Sequence, residues 1–128
     1  MPENIFITQQ RKILIEPTER LGKHQYLTEI LTRVKQEFKK VYQDNLISLI
    51  LFGSQARGDA KLDSDIDILV VLKEKIIQDD RRNNIIAFIS DICIEYGVLV
   101  SCVYVSEFQF KQEKSPLLLN IHQEGIVL

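Results

Sequence analysis

Leu49-Ile50-Leu51-Phe52-Gly53-Ser54-Gln55-Ala56-Arg57-Gly58-Asp59 runs on through Asp63-Ser64-Asp65-Ile66-Asp67 into Ile68-Leu69-Val70-Val71-Leu72, and reads as strand, glycine turn, loop, strand. The first apolar run ends in Gly-Ser, where a backbone without Cβ turns sharply and presents N–H groups. A helix starting there adds the positive end of its dipole, which makes the turn a seat for phosphate. Asp65 and Asp67 are two apart, so strand periodicity puts both carboxylates on one face, about 6.6 Å apart along the strand. Such a pair can converge on divalent cations, which neutralise the charge of nucleotide phosphates.

Three other motif readings fail on chemistry. Gly53 to Gly58 has the glycine spacing of a P-loop, but Asp59 and Ala60 stand where a phosphate-binding Lys and a metal-binding hydroxyl are required. Asp63-x-Asp65-x-Asp67 mimics the start of an EF-hand loop, yet Ile68 occupies the glycine position and apolar residues follow where ligands should continue. Phosphatases and glycosyltransferases that use Asp-x-Asp place it after an apolar strand, whereas here the strand follows the pair. A lone Asp-x-Asp would more simply solvate a loop. Its join to Gly53-Ser54 across the ten residues from Gln55 to Ser64 turns the reading toward function.

Gly-Ser, an intervening loop and Asp-x-Asp at the start of a strand resemble the nucleotidyltransferase superfamily of DNA polymerase beta. Ala56-Arg57-Gly58 after the Gly-Ser looks like its minimal bacterial and archaeal members. The resemblance runs from about Leu27 to the C-terminus. It implies a nucleotidyltransferase fold, an α/β (α+β) domain with a short mixed sheet covered by helices, over residues 23–128. Residues 1–22 are left as an arm or short strands. It also implies site roles: Gly53, Ser54 and Arg57 on the nucleotide, with Asp65 and Asp67 as the catalytic, metal-holding carboxylates. Family members place a third carboxylate on the next strand, and aligning Val100-Ser101-Cys102-Val103 there puts Ser101 at its position. A neutral hydroxyl is a poor cation ligand, so a two-Mg²⁺ site is reduced toward one. Glu95 or a partner's group could substitute. Arg57 either meets the triphosphate as pyrophosphate leaves or shapes the loop through an ion pair to Asp59, Asp63 or Asp65.

Length and charge bound the rest. The 128 residues, 45% hydrophobic and 27% charged, suit one compact domain. Sixteen basic against eighteen acidic residues make no global basic field, so direct nucleic-acid binding is not expected. Residues 1–47 carry eight Lys/Arg and six Asp/Glu, so the acidic excess falls in the part that holds the motif, where bound cations would offset it. The N-terminal stretch has no apolar run of signal-peptide or membrane-span length, which points to a cytoplasmic protein with no membrane partner. Cys93 and Cys102 form no Cys-x-x-Cys pair and read as reduced core residues. His24 and His122 add no zinc spacing and fall on helix surfaces or caps.

Apolar steps of three and four predict a helix from about His24 to Gln43, and a second carrying Ile85, Ile86, Ile89, Ile92, Cys93 and Tyr96 on its buried stripe before Gly97. Acidic Asp79-Asp80 suits that helix's first turn. Val98 to Val105 predicts a central strand buried on both faces. Ser106-x-x-Gln109 and Ser115-Pro116 predict two short helices, and Gly125 ends the second before Ile126-Val127-Leu128.

A domain this short leaves substrate recognition to a partner or second subunit. Minimal nucleotidyltransferases are known as antitoxins to small helical HEPN ribonuclease toxins, some transferring AMP from ATP to a tyrosine. The resemblance therefore implies a hetero-oligomer with a HEPN toxin, ATP as substrate and Mg²⁺ as cofactor. The alternatives are a binding module that neutralises its partner by occlusion, and a small-molecule adenylyltransferase.

Overall fold

The computed structural model describes residues 26–60, 64–74 and 80–128. The expected arm over 1–22, the first turn at His24, and Asp63 and Asp79 lie outside them. The elements are α1 (Leu27–Tyr42), β1 (Leu46–Phe52), α2 (Ser54–Arg57), β2 (Ile66–Leu72), α3 (Asp80–Tyr96), β3 (Val100–Ser106), α4 (Glu107–Gln112), α5 (Pro116–Glu124) and β4 (Ile126–Val127). The four strands form a mixed sheet in the order β3-β2-β1-β4. β1 runs antiparallel to β2 and β4, while β2 and β3 are parallel. This is the expected α+β architecture.

Two helix layers enclose the sheet. On one face Leu27, Ile30, Leu31, Val34 and Phe38 of α1, with Ile85 and Ile92 of α3, pack on Leu49, Leu51, Ile66, Ile68 and Val70. On the other face Phe110 of α4 and Leu118 and Ile121 of α5 pack on Ile50, Leu69, Val71 and Val105. Even-numbered β2 residues thus face α1 and α3, and odd-numbered ones face α4 and α5, as a period of two requires. β2 is the strand buried on both sides, and of its seven residues Asp67 alone is not fully buried.

The short helices start as their sequences require. Ser106 Oγ accepts from Gln109 N–H at 3.0 Å, and Ser115 Oγ accepts from Leu118 N–H at 3.3 Å with Pro116 in the first turn. At the far end of the β1–β2 hairpin, Asn45 closes the pair: its Oδ1 accepts from Glu74 N–H and its backbone carbonyl from Lys73 N–H. Among the described residues, no helix is long and apolar enough to cross a membrane.

Two expectations are corrected. β3 lies at the edge of the sheet, with Ser101 to Tyr104 half-buried, because β2 takes the central place between it and β1. Ile86 leaves the buried stripe of α3 and is 53% exposed; Ile85 and Ile92, a heptad apart, carry the contact instead. The expected difference is measurable by chemical denaturation. Phe38→Ala, at a fully buried site, costs about 3–5 kcal/mol, whereas Ile86→Ala changes stability by about 0.5 kcal/mol or less.

Candidate functional site

β1 delivers the chain to Gly53, whose φ of +77° belongs to glycine. The Gly53 carbonyl accepts from Ala56 N–H at 3.0 Å and Arg57 N–H at 3.1 Å, which starts α2. Gly58, at φ +86°, ends it by donating its N–H to the Ser54 carbonyl. The Gly-Ser turn is therefore one helical turn held between two positive-φ glycines. Four residues build little macrodipole, so what this turn offers an anion is its first N–H groups and the Ser54 hydroxyl rather than the helix field expected from the sequence. Ala56, fully buried against the α1 side of the core, anchors the turn.

Asp67 pairs across the ladder with Phe52, the residue before Gly53. A Cβ built on Gly53 would stand 2.6 Å from Asp67 Oδ2, 3.4 Å from its Cγ and 3.6 Å from its Cβ. The Asp67 carboxylate thus lies over the Gly53 backbone, in space any side chain would fill. Asp65 is exposed, two residues upstream at the mouth of β2. Burial raises the Asp67 pKa above the ordinary carboxylate value, the neighbouring Asp65 charge raises it further, and Arg57 opposes both. The two carboxylates are close enough to repel, a charge arrangement that a cation relieves.

Ser101 stands opposite Asp67 in the parallel β2–β3 register, on the α4/α5 face. The sequence alignment placed the missing third carboxylate there. Glu95 does not replace it: it lies on α3, against the opposite face of the sheet, with Oε1 2.9 Å from Arg33 Nη1. Among the described residues no three His, Cys, Asp or Glu side chains gather as a metal cluster. Two repelling carboxylates suit a cation whose coordination is completed by a ligand's phosphate oxygens, and do not suit one held by this chain alone.

Arg57, the last residue of α2, is exposed and doubly paired. Its Nε is 3.2 Å from Asp59 Oδ2 and its Nη1 is 3.5 Å from Glu124 Oε1. Of the ion-pair partners expected from the sequence, Asp59 is realised and Asp63 lies outside the described residues. Glu124, from α5, was not foreseen.

Gln55 was also missed. Its side chain is fully buried, and Nε2 donates to the Ser64 carbonyl at 3.1 Å, tying α2 to the residue before Asp65. Oε1 has no partner among the described residues. A glutamine between Ser54 and Ala56 has no periodicity that signals burial; its place in the Gly-Ser loop is the one clue.

The other titratable residues fall away from the site. Burial pushes the Cys102 thiol up to about 12, and Cys93 Sγ accepts from Val100 N–H at 3.3 Å; both thiols are free and half-buried. His122 Nε2 lies 3.1 Å from the Phe110 carbonyl with its ring against Phe110, joining α5 to α4. A cleft of about 430 Å³ lined by Lys35, Lys39 and Leu46 to Leu49 opens at the start of β1, away from Gly53.

Because Asp67 holds its proton more tightly when folded, its ionisation works against folding. That penalty grows as pH rises from the ordinary carboxylate pKa through the raised one. Asp67→Asn should therefore raise the melting temperature of the metal-free protein at pH 7, and the gain should shrink toward zero as pH falls into the ordinary carboxylate range. Thermal denaturation across that pH range checks it; a variant less stable than the native protein at pH 7 would contradict the strained carboxylate.

A family model described as nucleotidyltransferase domain matches residues 27–125. Among curated relatives named as protein adenylyltransferases in Methanocaldococcus jannaschii, one is 35% identical over 75 residues, covering 59% of this chain and 75% of its own length. Another is 34% identical over 91 residues, covering 70% of this chain and 85% of its own. The fold is shared with a crystal structure of a variant of the toxin–antitoxin pair MntA-HpeT, with a TM-score of 0.52 at 19% identity over 77% of this chain and 70% of that one. The turn, the carboxylate pair and the span of the family match together make this chain a member of the nucleotidyltransferase family.

Proposed function

We propose that this protein transfers AMP from Mg-ATP to a hydroxyl, a tyrosine by preference, of a HEPN-type ribonuclease toxin, and so acts as its antitoxin. The observation that carries the reading is the Asp67 carboxylate lying against Gly53 with Asp65 two residues away, an arrangement that supports a cation site beside a phosphate-binding turn. The relatives' name, protein adenylyltransferase, supports a protein acceptor.

Each residue then has a role. Gly53 and Ser54 take the β- and γ-phosphates through backbone N–H groups and the Ser54 hydroxyl. Asp65 and Asp67 would hold the cation, and Mg²⁺ there would supply neutralisation of the phosphate charge. Arg57, at the end of α2, meets the pyrophosphate that leaves when the acceptor oxygen bonds to the α-phosphorus. Gln55, through Ser64, keeps the two carboxylates aimed at the turn. The catalysis this chain offers is positioning and charge neutralisation.

Ser101 supports a second reading. With a hydroxyl where a third carboxylate would hold the metal that activates the acceptor, the same fold could neutralise its partner by occlusion alone. The two readings separate by stoichiometry. Under transfer chemistry, a substoichiometric amount of this protein with Mg-ATP silences the ribonuclease progressively, the silencing persists after separation, and Asp65→Asn with Asp67→Asn abolishes it. Strictly stoichiometric, ATP-independent and reversible inhibition of the ribonuclease would overturn the enzymatic reading.

A further inference from the structure

Glu124 reaches the candidate site from far along the chain. α5 ends at Glu124, and the next residue, Gly125, is buried so tightly that a Cβ there would stand 2.5 Å from Ile50 Cγ2 and 2.7 Å from the Ile121 carbonyl oxygen. Ile126 then pairs with Leu51 and Val127 with Ile50. This close passage fixes the end of α5 beside the last residues of β1, next to the Gly53 turn. From there Glu124 Oε1 sits 3.5 Å from Arg57 Nη1, while Asp59 Oδ2 sits 3.2 Å from Nε of the same guanidinium.

The placement of Glu124 has no local reason. A carboxylate in the last turn of a helix faces the negative end of the dipole, an unfavourable position that a lysine or arginine would occupy better. Its compensation is Arg57. The guanidinium is paired with both Asp59 and Glu124, and its charge also acts on Asp67. Arg57 therefore connects the cation-binding carboxylate to the end of α5. A triphosphate seated on the Gly53 turn would compete with Glu124 for the same N–H donors, since an arginine fork takes phosphate and carboxylate with one geometry.

We propose that Glu124 is a positioning residue that holds Arg57 in competition with the polyphosphate of the ligand, so that affinity for a nucleoside triphosphate is set by the release of Arg57 from Glu124. This rests on reading the Gly53–Asp67 turn as a nucleotide site. Both side chains are roughly 40% exposed. Solvent screens such a pair, so the competition is worth roughly two- to fivefold in affinity.

The test is a double-mutant cycle read by calorimetric titration of Mg-ATP, and separately of inorganic triphosphate with Mg²⁺, into the full chain and its Glu124→Gln, Arg57→Gln and double variants. The expected result is that Glu124→Gln binds both probes roughly two- to fivefold more tightly, that Arg57→Gln weakens both, and that Glu124→Gln has no effect on the Arg57→Gln background. A purely structural ion pair would shift the melting temperature of Glu124→Gln and leave affinity unchanged. That result overturns the inference, as does an equal gain in both backgrounds, which would mark a general field effect. If Arg57→Gln weakens binding while Glu124→Gln does not tighten it, this inference alone fails. If the native chain binds neither probe, or the Asp65→Asn, Asp67→Asn variant binds Mg-ATP as well as the native chain does, the nucleotide reading fails with it.

Discussion

Gly53 has no Cβ, and the space that atom would take is filled by Asp67 Oδ2, 2.6 Å from where it would stand. The arrangement of the candidate site depends on this contact. The antiparallel register of Phe52 against Asp67 brings the turn and the carboxylate together, and the positive φ of Gly53 sends the chain into α2 at the point of contact. Any side chain at 53 would both strain the backbone and push the carboxylate away. The buried strand β2 supplies the rigid support: apart from Asp67 its residues are locked into core on both faces, so the one position free to do chemistry is held by six that are not.

The site is held at a cost in stability. Asp67 is half-buried beside another carboxylate, and both burial and that charge oppose its ionisation. Arg57 offsets this only in part, and its Nε and Nη1 are shared with Asp59 and Glu124. A fold selected for stability alone would place a neutral or apolar residue at 67, as it does everywhere else on β2. Keeping a carboxylate there makes sense if a cation and phosphate complete the charge balance, which is why the strained pair is the feature that supports nucleotide chemistry.

Much of this was legible from the chain. Gly53-Ser54 announces the turn because it depends on local backbone geometry, whereas Asp65 lies just before β2, which starts at Ile66, so strand periodicity does not fix its face. Ser106, Ser115 with Pro116, and Gly97 announce helix ends through local geometry as well. What could not be read depends on tertiary placement. Val98 to Val105 is as apolar as a central strand because helices cover both of its faces, but lateral position in the sheet is set by β2 and leaves no periodic mark. Ile86 lies one residue from the buried Ile85, and the helix phase could not be fixed by a run so rich in isoleucine. Gln55 and Glu124 are ordinary polar residues in sequence and gain their roles from the Ser64 carbonyl and the Arg57 guanidinium, which only the fold brings to them.

The central claim is that the Gly53 turn and the Asp65/Asp67 pair direct attack at the α-phosphorus of a nucleotide. The most direct measurement is incubation of this protein and its partner with Mg²⁺ and ATP labelled at either the α- or the γ-phosphate, followed by detection of label on protein. Stable label from α-labelled ATP, none from γ-labelled ATP, and release of pyrophosphate is the result predicted. Label carried over from the γ-phosphate, or none from either, would contradict the account.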